Sequence, residues 1–230
     1  MTSRYQAPPR DVQASIKRYL IDLGLKAGDA IPTEARLTDV LGVSRGSLRE
    51  ALKALEALGI IRTKHGSGMQ VGQLSLGGIA DQVAFHSTLE GRDDLGMLLD
   101  LLEIREAFEL QLIRRVAVAA DQDQLDRLNG LVSDYEASTS ADMDEIDRRF
   151  HRELYSQLGN ALLLELLDVF WSSQAAVHPQ LGEPMDAVDE RISKHRAIVD
   201  AVVRHDPDAA HSAMQDHFAK TRAWFESGRA

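Results

Sequence analysis

Residues 31–71 read IPTEARLTDVLGVSRGSLREALKALEALGIIRTKHGSGMQV, and this stretch decides the fold of the first part of the chain. Thr33 and Ser44 each precede a run of apolar residues at helical spacing, and both residue types cap the free amides at a helix start. Gly42 ends the first run, because the residue after a helix often takes a positive φ. Two short apolar segments then flank the basic, glycine-rich residues 64–68, which predicts a small β-hairpin. The order of these elements predicts a winged helix-turn-helix.

The second helix of this stretch carries a basic edge opposite its apolar face. Arg45, Arg49 and Lys53 follow one another at intervals of four residues, so their side chains line one stripe. Gly46 and Ser47 keep the first turn small, which lets the backbone come close to a partner. Such a helix can lie in the major groove of DNA with its first turn facing base edges and phosphates. The basic tip of the hairpin would then reach a minor groove or the DNA backbone.

The composition narrows the class of protein. No apolar run approaches the roughly 18 residues of a membrane span, and the N-terminus lacks the apolar core of a signal peptide. Without cysteine there is no disulfide and no thiolate metal site, which fits a cytoplasmic protein. The net charge of −10 is unevenly divided: residues 1–72 hold 11 Lys/Arg against 7 Asp/Glu, and residues 73–230 hold 15 against 29. This asymmetry predicts a nucleic-acid-binding head and an acidic domain with a different task.

The chain is expected to contain two domains. We predict a DNA-binding domain over residues 1–72, a linker over 73–78 and an all-helical domain over 79–230. In the first domain, a helix over residues 12–23 is expected to turn Ile21 inward. In the second, helical spacing recurs between breaks at glycine, asparagine and proline. The predicted helices are 79–89, 94–119, 122–138, 141–158, 161–177, 185–205 and 207–226. Six to seven helices predict an antiparallel all-α bundle large enough to enclose a cavity.

Four polar side chains fall on otherwise apolar helix faces of the second domain. Asp147 and His151 are four residues apart and share a face, while His195 and His217 lie on two later helices. Burying such groups is costly without a partner, and one divalent metal ion would satisfy all four. Imidazole and carboxylate ligands suit Zn²⁺, Ni²⁺ or Fe²⁺, and Mn²⁺ also accepts them. Each histidine taken alone is more often a hydrogen-bonded core residue, and this alternative stays open.

Arg105 is a further polar residue on an inward stripe. Glu109 stands one helical turn later, so the two side chains can form an ion pair. The planar guanidinium also matches a carboxylate, which makes Arg105 a candidate to bind a small acid inside the bundle. Both interpretations can hold together.

The first domain resembles a known family. PTEARL, GVSRGSLREALKALEALGII and KHGSGMQV are similar to the DNA-binding domain of the GntR family of bacterial transcription regulators. In that family, residues matching the basic helix edge and the hairpin tip commonly meet DNA. An arginine of the capped helix does so too, and its nearest counterpart here is Arg36, one place later than usual. The expected DNA-binding residues are Arg36, Ser44, Arg45, Gly46, Ser47, Arg49, Lys64, His65 and Gly66.

The second domain resembles the all-helical FCD effector domain of the FadR-type branch of that family. The similarity lies in EIREAFE, DRRFH, the pair Gly159-Asn160, KHRAIVDAVVRHDPDAA and MQDHF. The residues that match the ligands of metal-binding members are Asp147, His151, His195 and His217. The positions of Arg105 and Asn160 line the effector pocket in many members. The resemblance therefore implies a divalent metal ion and a small organic acid as effector.

These features predict a transcription regulator and not an enzyme. We expect a homodimer that binds near-palindromic operator DNA, because a two-fold protein requires two-fold DNA, and we favour repression over activation. One alternative is a metal-dependent hydrolase, in which three histidines and an aspartate activate water. No separate general base stands out in its favour. Another alternative is a regulator whose helical domain serves only for dimerisation.

Overall fold

The described part of the chain comprises residues 9–64, 68–90, 96–138, 142–181 and 188–227 of a computed structural model, and it forms helices and one two-stranded sheet. The helices are α1 (Pro9–Asp22), α2 (Glu34–Leu41), α3 (Arg45–Ala57), α4 (Gly77–Glu90), α5 (Gly96–Ala119), α6 (Gln122–Ala137), α7 (Met143–Ser156), α8 (Ala161–Leu181), α9 (Val188–Val203) and α10 (Pro207–Ser227). The strands are β1 (Ile61–Lys64) and β2 (Gly68–Val71). The division between two structural units falls after Ser75. The architecture confirms the predicted fold class, a winged helix-turn-helix followed by an antiparallel helical bundle.

Capping side chains set the helix ends of the first unit. Thr33 Oγ1 accepts a hydrogen bond from the Arg36 amide at 3.3 Å, and Ser44 Oγ accepts one from the Ser47 amide at 3.1 Å. Gly42 ends α2 with a φ of 66°, which glycine adopts without a steric cost. Helices α1, α2 and α3 pack together with strand β1 around one small hydrophobic core. Its buried residues are Val12, Ile16, Leu20, Ile31, Leu37, Leu48, Ala51, Leu52, Leu55 and Ile61.

One predicted core position of the first unit is wrong. Ile21 was expected to face inward, but 74% of its surface is exposed. The buried stripe of α1 consists of Val12, Ile16 and Leu20, which are spaced by four residues. Because successive residues of a helix turn by about 100°, a side chain directly after Leu20 points away from that stripe.

The hairpin closes against the loop that precedes α2. Strands β1 and β2 pair antiparallel, with Ile61 opposite Val71. Ala30 adds an antiparallel bridge to Gln70, so the hairpin gains a third short partner segment. The predicted tip at His65 and Gly66 lies outside the described residues.

The second unit consists of helices α4–α10. Helix α5 packs against α10, α4 against α8, and α6 against α7 and α9, so each helix has at least one long neighbour. The largest fully buried side chains in its core are Tyr135, Tyr155, Phe150 and Phe218. Within the described residues, no helix is both long and apolar enough to cross a lipid bilayer. The bundle thus offers four helices, α5, α7, α9 and α10, whose inner faces approach one another.

Gly72 provides a test of the packing in the first unit. Its amide donates to the Ile60 carbonyl at 2.8 Å, and a Cβ at this position would lie 1.8 Å from the Gly59 carbonyl oxygen. We therefore expect Gly72→Ala to destabilise the winged helix by about 1–3 kcal/mol, the usual cost of overpacking. Chemical unfolding followed by circular dichroism measures the effect. The control is Gly46→Ala, where the nearest atom is 3.9 Å away. Equal stability of the two variants would contradict the described packing.

Candidate metal centre and nucleic-acid interface

Asp147, His151, His195 and His217 meet at one point in the core of the second unit. Helix α7 provides the first two, and α9 and α10 provide the others; one ligand atom of each lies within 4.8 Å of the rest. His195 Nε2 is 2.8 Å from Asp147 Oδ1, and His151 Nε2 is 3.9 Å from the same oxygen. Metal bonds of about 2.1 Å place neighbouring ligand atoms roughly 3–4 Å apart. The cluster therefore has the right size to hold one divalent ion.

Two of the histidines are oriented by acceptors on their far ring nitrogens. His151 Nδ1 lies 2.6 Å from Glu109 Oε2, and His195 Nδ1 lies 2.7 Å from the Arg191 carbonyl oxygen. A carbonyl or an ionised carboxylate can only accept, so both Nδ1 atoms donate. Hydrogen bonding of this kind fixes the tautomer and ring orientation of histidines that bind metals through the other nitrogen.

Two ring nitrogens of the cluster lack any hydrogen-bond partner within the described residues. His151 Nε2 and His217 Nδ1 are both fully inaccessible to solvent. An unpaired buried polar atom carries a desolvation penalty, and such atoms are rare in folded proteins. These two nitrogens and the Asp147 carboxylate form a set of ligand atoms that a divalent cation would satisfy. The residues present therefore fit a metal ion.

The electrostatics of the cluster also favour a cation. Burial lowers the pKa of His151 and, together with the neighbouring His195 and His151 rings, holds the pKa of His217 well below its ordinary value. Burial alone would raise the pKa of Asp147, but the His195 hydrogen bond and the nearby histidines hold it well below its usual range. Neutral imidazoles and an ionised carboxylate are the protonation states that metal binding requires.

Tyr135 is a member of the site that the sequence did not indicate. Its hydroxyl donates to Asp147 Oδ1 at 2.8 Å, and its ring lies 4.5 Å from the His195 ring, centroid to centroid. Tyr135 sits on α6, at an apolar position of that helix. Its contact with the cluster follows from the distance to Asp147 and not from any sequence pattern.

Arg105 lies inside the bundle beside the cluster. Its Nε donates to Glu109 Oε1 at 2.5 Å, which confirms the predicted ion pair. Its guanidinium carbon lies 3.9 Å from the centre of the Trp171 ring and 4.4 Å from that of Phe170. Arg105 Nη2 is buried and has no hydrogen-bond partner in the described parts of the chain. One donor of the guanidinium therefore remains available to an anion.

Asn160 occupies a different environment from the cluster. Its side chain is exposed, and its Oδ1 accepts a hydrogen bond from the Leu163 amide at 3.1 Å. This contact makes Asn160 the cap at the start of α8. The structure thus shows a structural role for Asn160, while its role in the effector pocket stays a prediction.

An open cleft between α6, α7 and α8 shares no residue with the cluster. It is lined in part by Arg127, Arg149 and Arg152. Each of these arginines is paired, and the partners are Glu153, Asp134 and Asp168, in that order. Because its cations are already neutralised, we assign no ligand to this cleft.

The residues predicted to meet DNA lie on the surface of the first unit. Those that the structure describes are all exposed: Arg36, Ser44, Arg45, Gly46, Ser47, Arg49 and Lys64. His65 and Gly66 lie outside the described residues. Helix α3 buries Leu48 and Leu52 and leaves its N-terminal turn and basic edge accessible, as a recognition helix requires.

Part of the basic edge is paired with carboxylates of the same unit. Arg49 Nε donates to Glu34 Oε2 at 3.0 Å, and Lys53 Nζ donates to Glu50 Oε1 at 3.1 Å. Both pairs are largely exposed, so they contribute little to stability. The contact with Glu34 on α2 instead fixes the position of the Arg49 side chain on α3. Among the described residues, Arg36 and Arg45 have no ion-pair partner.

Comparison with known proteins identifies the family. A protein-family model described as FCD domain matches residues 100–220 of the sequence. A second family model, described as bacterial regulatory proteins, gntR family, matches residues 8–71. A relative from Bacillus subtilis (strain 168), the uncharacterized HTH-type transcriptional regulator YcbG, is 32% identical over 213 residues, which cover 89% of this chain and 84% of the relative. The chain belongs to the GntR family.

Further relatives of this GntR-family protein carry related names. The HTH-type transcriptional repressor NanR of Escherichia coli (strain K12) is 31% identical over 212 residues, covering 88% of this chain and 78% of NanR. The structure titled Streptococcus agalactiae GntR has a TM-score of 0.67 at 24% identity and covers 94% of this chain and 99% of its own, which supports the fold alone. The protein is a transcription regulator of the GntR type with an FCD domain, and the hydrolase alternative is set aside.

The lowered histidine pKa values predict a pH effect on the chelator-treated regulator. Below about pH 6.5 the histidines of the unfolded chain gain protons more readily than His151 and His217 do in the folded protein, because the folded pKa values of these two are lowered. The unfolded state then binds more protons. The free energy of unfolding therefore decreases as the pH is lowered, by up to about 1.4 kcal/mol per pH unit for each of the two histidines. Urea unfolding between pH 7 and 5 measures this slope.

His217→Gln should flatten the slope of stability against pH. His86→Gln, which changes an exposed histidine outside the cluster, should leave the slope unchanged. If both variants keep the full slope, His217 does not resist protonation in the folded protein.

Proposed function

We propose that this GntR-family regulator is a homodimeric repressor whose helical domain holds a divalent metal ion and a small organic acid. The observation that carries the proposal is the convergence of Asp147, His151, His195 and His217 around two unpaired nitrogens, with the free donor of Arg105 nearby. We propose the same domain limits as the sequence predicts: DNA binding over 1–72, a linker over 73–78 and the effector and dimerisation domain over 79–230. Because α4 begins at Gly77, the last two linker residues are helical.

The winged helix is proposed to read operator DNA in the cytoplasm. The small first turn of α3 would enter the major groove, with Arg45 and Arg49 facing base edges and phosphates. Ser44 and Ser47 lie at the helix N-terminus, where free amides attract phosphate oxygens. Lys64 at the end of β1 would approach the neighbouring backbone. The exposure of all these side chains supports the assignment.

The metal site is proposed to use one atom from each member of the cluster. Asp147 would offer a carboxylate oxygen, His151 and His195 their Nε2 atoms, and His217 the buried Nδ1. Three imidazoles and a carboxylate suit Zn²⁺, Ni²⁺, Fe²⁺ or Mn²⁺. A bound ion would supply positive charge and open coordination positions for a carboxylate.

Arg105 is proposed to bind the effector. Its Nε is occupied by Glu109, while its Nη2 has no partner in the described part of the protein. The ring faces of Trp171 and Phe170 hold the guanidinium plane in place. A small carboxylate could therefore accept from Nη2 without displacing Glu109. An arginine so oriented favours a planar anion over a neutral ligand.

Dimerisation is proposed to involve the helical domain. Helices α4 and α8 pack against each other and still leave large apolar side chains exposed, and these include Ile79, Phe85, Leu89, Leu162 and Leu166. An apolar surface of this kind is typical of a protein interface. Two chains would present two winged helices to the half-sites of one operator. Effector binding would change DNA affinity through such an assembly, and couplings of this type are about 5–150-fold.

Metal binding is tested by elemental analysis of protein purified without chelator. We expect about one divalent ion per chain, and His151→Gln should remove it because the site loses one of its four ligands. The control is His86→Gln, which changes an exposed histidine outside the cluster. A wild-type protein that stays free of metal after incubation with Zn²⁺, Ni²⁺, Fe²⁺ and Mn²⁺ would favour a helical domain that only dimerises.

The DNA interface is tested by Arg49→Ala in a band-shift titration with the operator. Loss of a base-reading arginine should weaken specific binding by about 1–3 kcal/mol. Arg204→Ala removes the same charge from an exposed position of the helical domain and should bind normally. If Arg49→Ala binds as tightly as this control, Arg49 does not read the operator.

A further inference from the structure

Glu109 is fully buried, and both of its oxygens are engaged by other elements of the site. Oε1 accepts from Arg105 Nε at 2.5 Å, and Oε2 accepts from His151 Nδ1 at 2.6 Å. A single carboxylate thus joins the arginine proposed to bind the effector to a residue of the metal cluster. Within the described residues, no other charged side chain contacts both.

Arg105 holds this carboxylate in place through the 2.5 Å contact between its Nε and Glu109 Oε1. The guanidinium cannot easily follow a moving carboxylate, because it stacks on the rings of Trp171 and Phe170. Arg105 therefore fixes the position of the Glu109 carboxylate through Oε1 and leaves Oε2 to His151.

This fixed acceptor determines what His151 offers to the cluster. With Nδ1–H committed to Glu109, the lone pair must reside on Nε2, the nitrogen that faces Asp147 Oδ1 at 3.9 Å. In the other tautomer, Nδ1 would place a lone pair against the carboxylate, and Nε2–H would point at a metal ion. The acceptor thus selects the tautomer that can bind metal.

The three histidines of the cluster differ in this respect. His195 Nδ1 donates to a backbone carbonyl that every residue type provides, and His217 Nδ1 has no partner among the described residues. Among the described residues, His151 is the one histidine of the cluster whose Nδ1–H donates to a side chain. A single substitution can therefore remove its acceptor. A charged acceptor also makes the imidazole a stronger ligand than a neutral one does.

We propose that Glu109 is a positioning residue of the metal centre: held by Arg105, it fixes the His151 ring so that Nε2 faces the ion. The inference rests on the proposed metal site and adds a connection between that site and the effector-binding arginine. Arg105 then has two roles. Its Nε orients Glu109, and its Nη2 stays available to the effector. Metal loading and effector binding would be linked through this one carboxylate.

The test compares two double variants of the full-length protein that carry the same change of charge. Arg105→Met with Glu109→Gln removes the ion pair but keeps an amide oxygen that can accept from His151. Arg105→Met with Glu109→Leu removes the ion pair and the acceptor together. Replacing both members of a buried ion pair by uncharged groups of similar size is generally tolerated, so both variants should fold. Circular dichroism verifies this.

Zn²⁺ affinity is measured by competition with a chromophoric chelator. We expect the Gln variant to bind Zn²⁺ about 10–100-fold more tightly than the Leu variant, the usual effect of a partner that orients a metal ligand. Equal affinities of the two variants, with normal binding by the wild-type protein, would overturn the positioning role and leave the proposed metal site intact. Failure of the wild-type protein to bind Zn²⁺ would instead overturn the proposed metal site.

The second measurement needs no metal. Long-range ¹H–¹⁵N NMR spectra of chelator-treated protein report the tautomer of each histidine. We expect His151 in the Nδ1–H form in the wild-type protein and the Gln variant, and a mixture of tautomers in the Leu variant. A purely structural role of Glu109 would alter stability without changing this tautomer. An unchanged Nδ1–H form in the Leu variant would overturn the proposal.

Discussion

Polar side chains from four helices point into one apolar core, and their burial is stable only if each finds a partner. Arg105 and Glu109 on α5 satisfy each other in part, and Glu109 extends the contact to His151 on α7. Asp147 accepts a hydrogen bond from Tyr135 and lies 2.8 Å from His195 Nε2. After these contacts, two imidazole nitrogens remain unpaired. Among the described residues, these contacts leave a group of four side chains that fits a divalent cation. This constraint ties the packing of the bundle to its function.

The two units of the chain separate two electrostatic requirements. Binding to DNA needs exposed cations, which the first unit places on the N-terminal turn and edge of α3. The proposed binding of a metal ion and an organic acid needs buried ligands that are held rigidly, and the helical core of the second unit offers such positions. The uneven distribution of charge along the sequence reflects this division.

Sequence reasoning predicted the features that depend on neighbouring residues. The caps at Thr33 and Ser44 and the left-handed Gly42 were predictable because a cap acts on amides within three residues. The ion pair of Arg105 with Glu109 follows from a spacing of one helical turn. The four cluster residues could be singled out because polar residues on apolar stripes are unusual. The inward orientation predicted for Ile21 is wrong, because Val12, Ile16 and Leu20 already form the buried stripe of α1.

Other features depend on distances between elements that no local pattern reports. The contact of Glu109 with His151 joins residues on α5 and α7, and that of Tyr135 with Asp147 joins α6 and α7. In the sequence, Tyr135 follows Leu131 and Val132 by one helical turn and looks like one more apolar position of that face. Asn160 was assigned from the family resemblance, whereas its hydrogen bond to the Leu163 amide shows a helix cap. Tertiary packing decides the contacts of Glu109 and Tyr135, whereas the cap at Asn160 is a local contact over three residues, like those at Thr33 and Ser44.

The measurement that tests the account most directly is an anomalous difference map from crystals of the Zn²⁺-loaded protein, recorded at the zinc absorption edge. We predict one strong peak per chain in the second unit, about 2.0–2.2 Å from Asp147 Oδ1, His151 Nε2, His195 Nε2 and a His217 ring nitrogen. A map with no peak among these four side chains, or with the zinc only on exposed histidines, would contradict it.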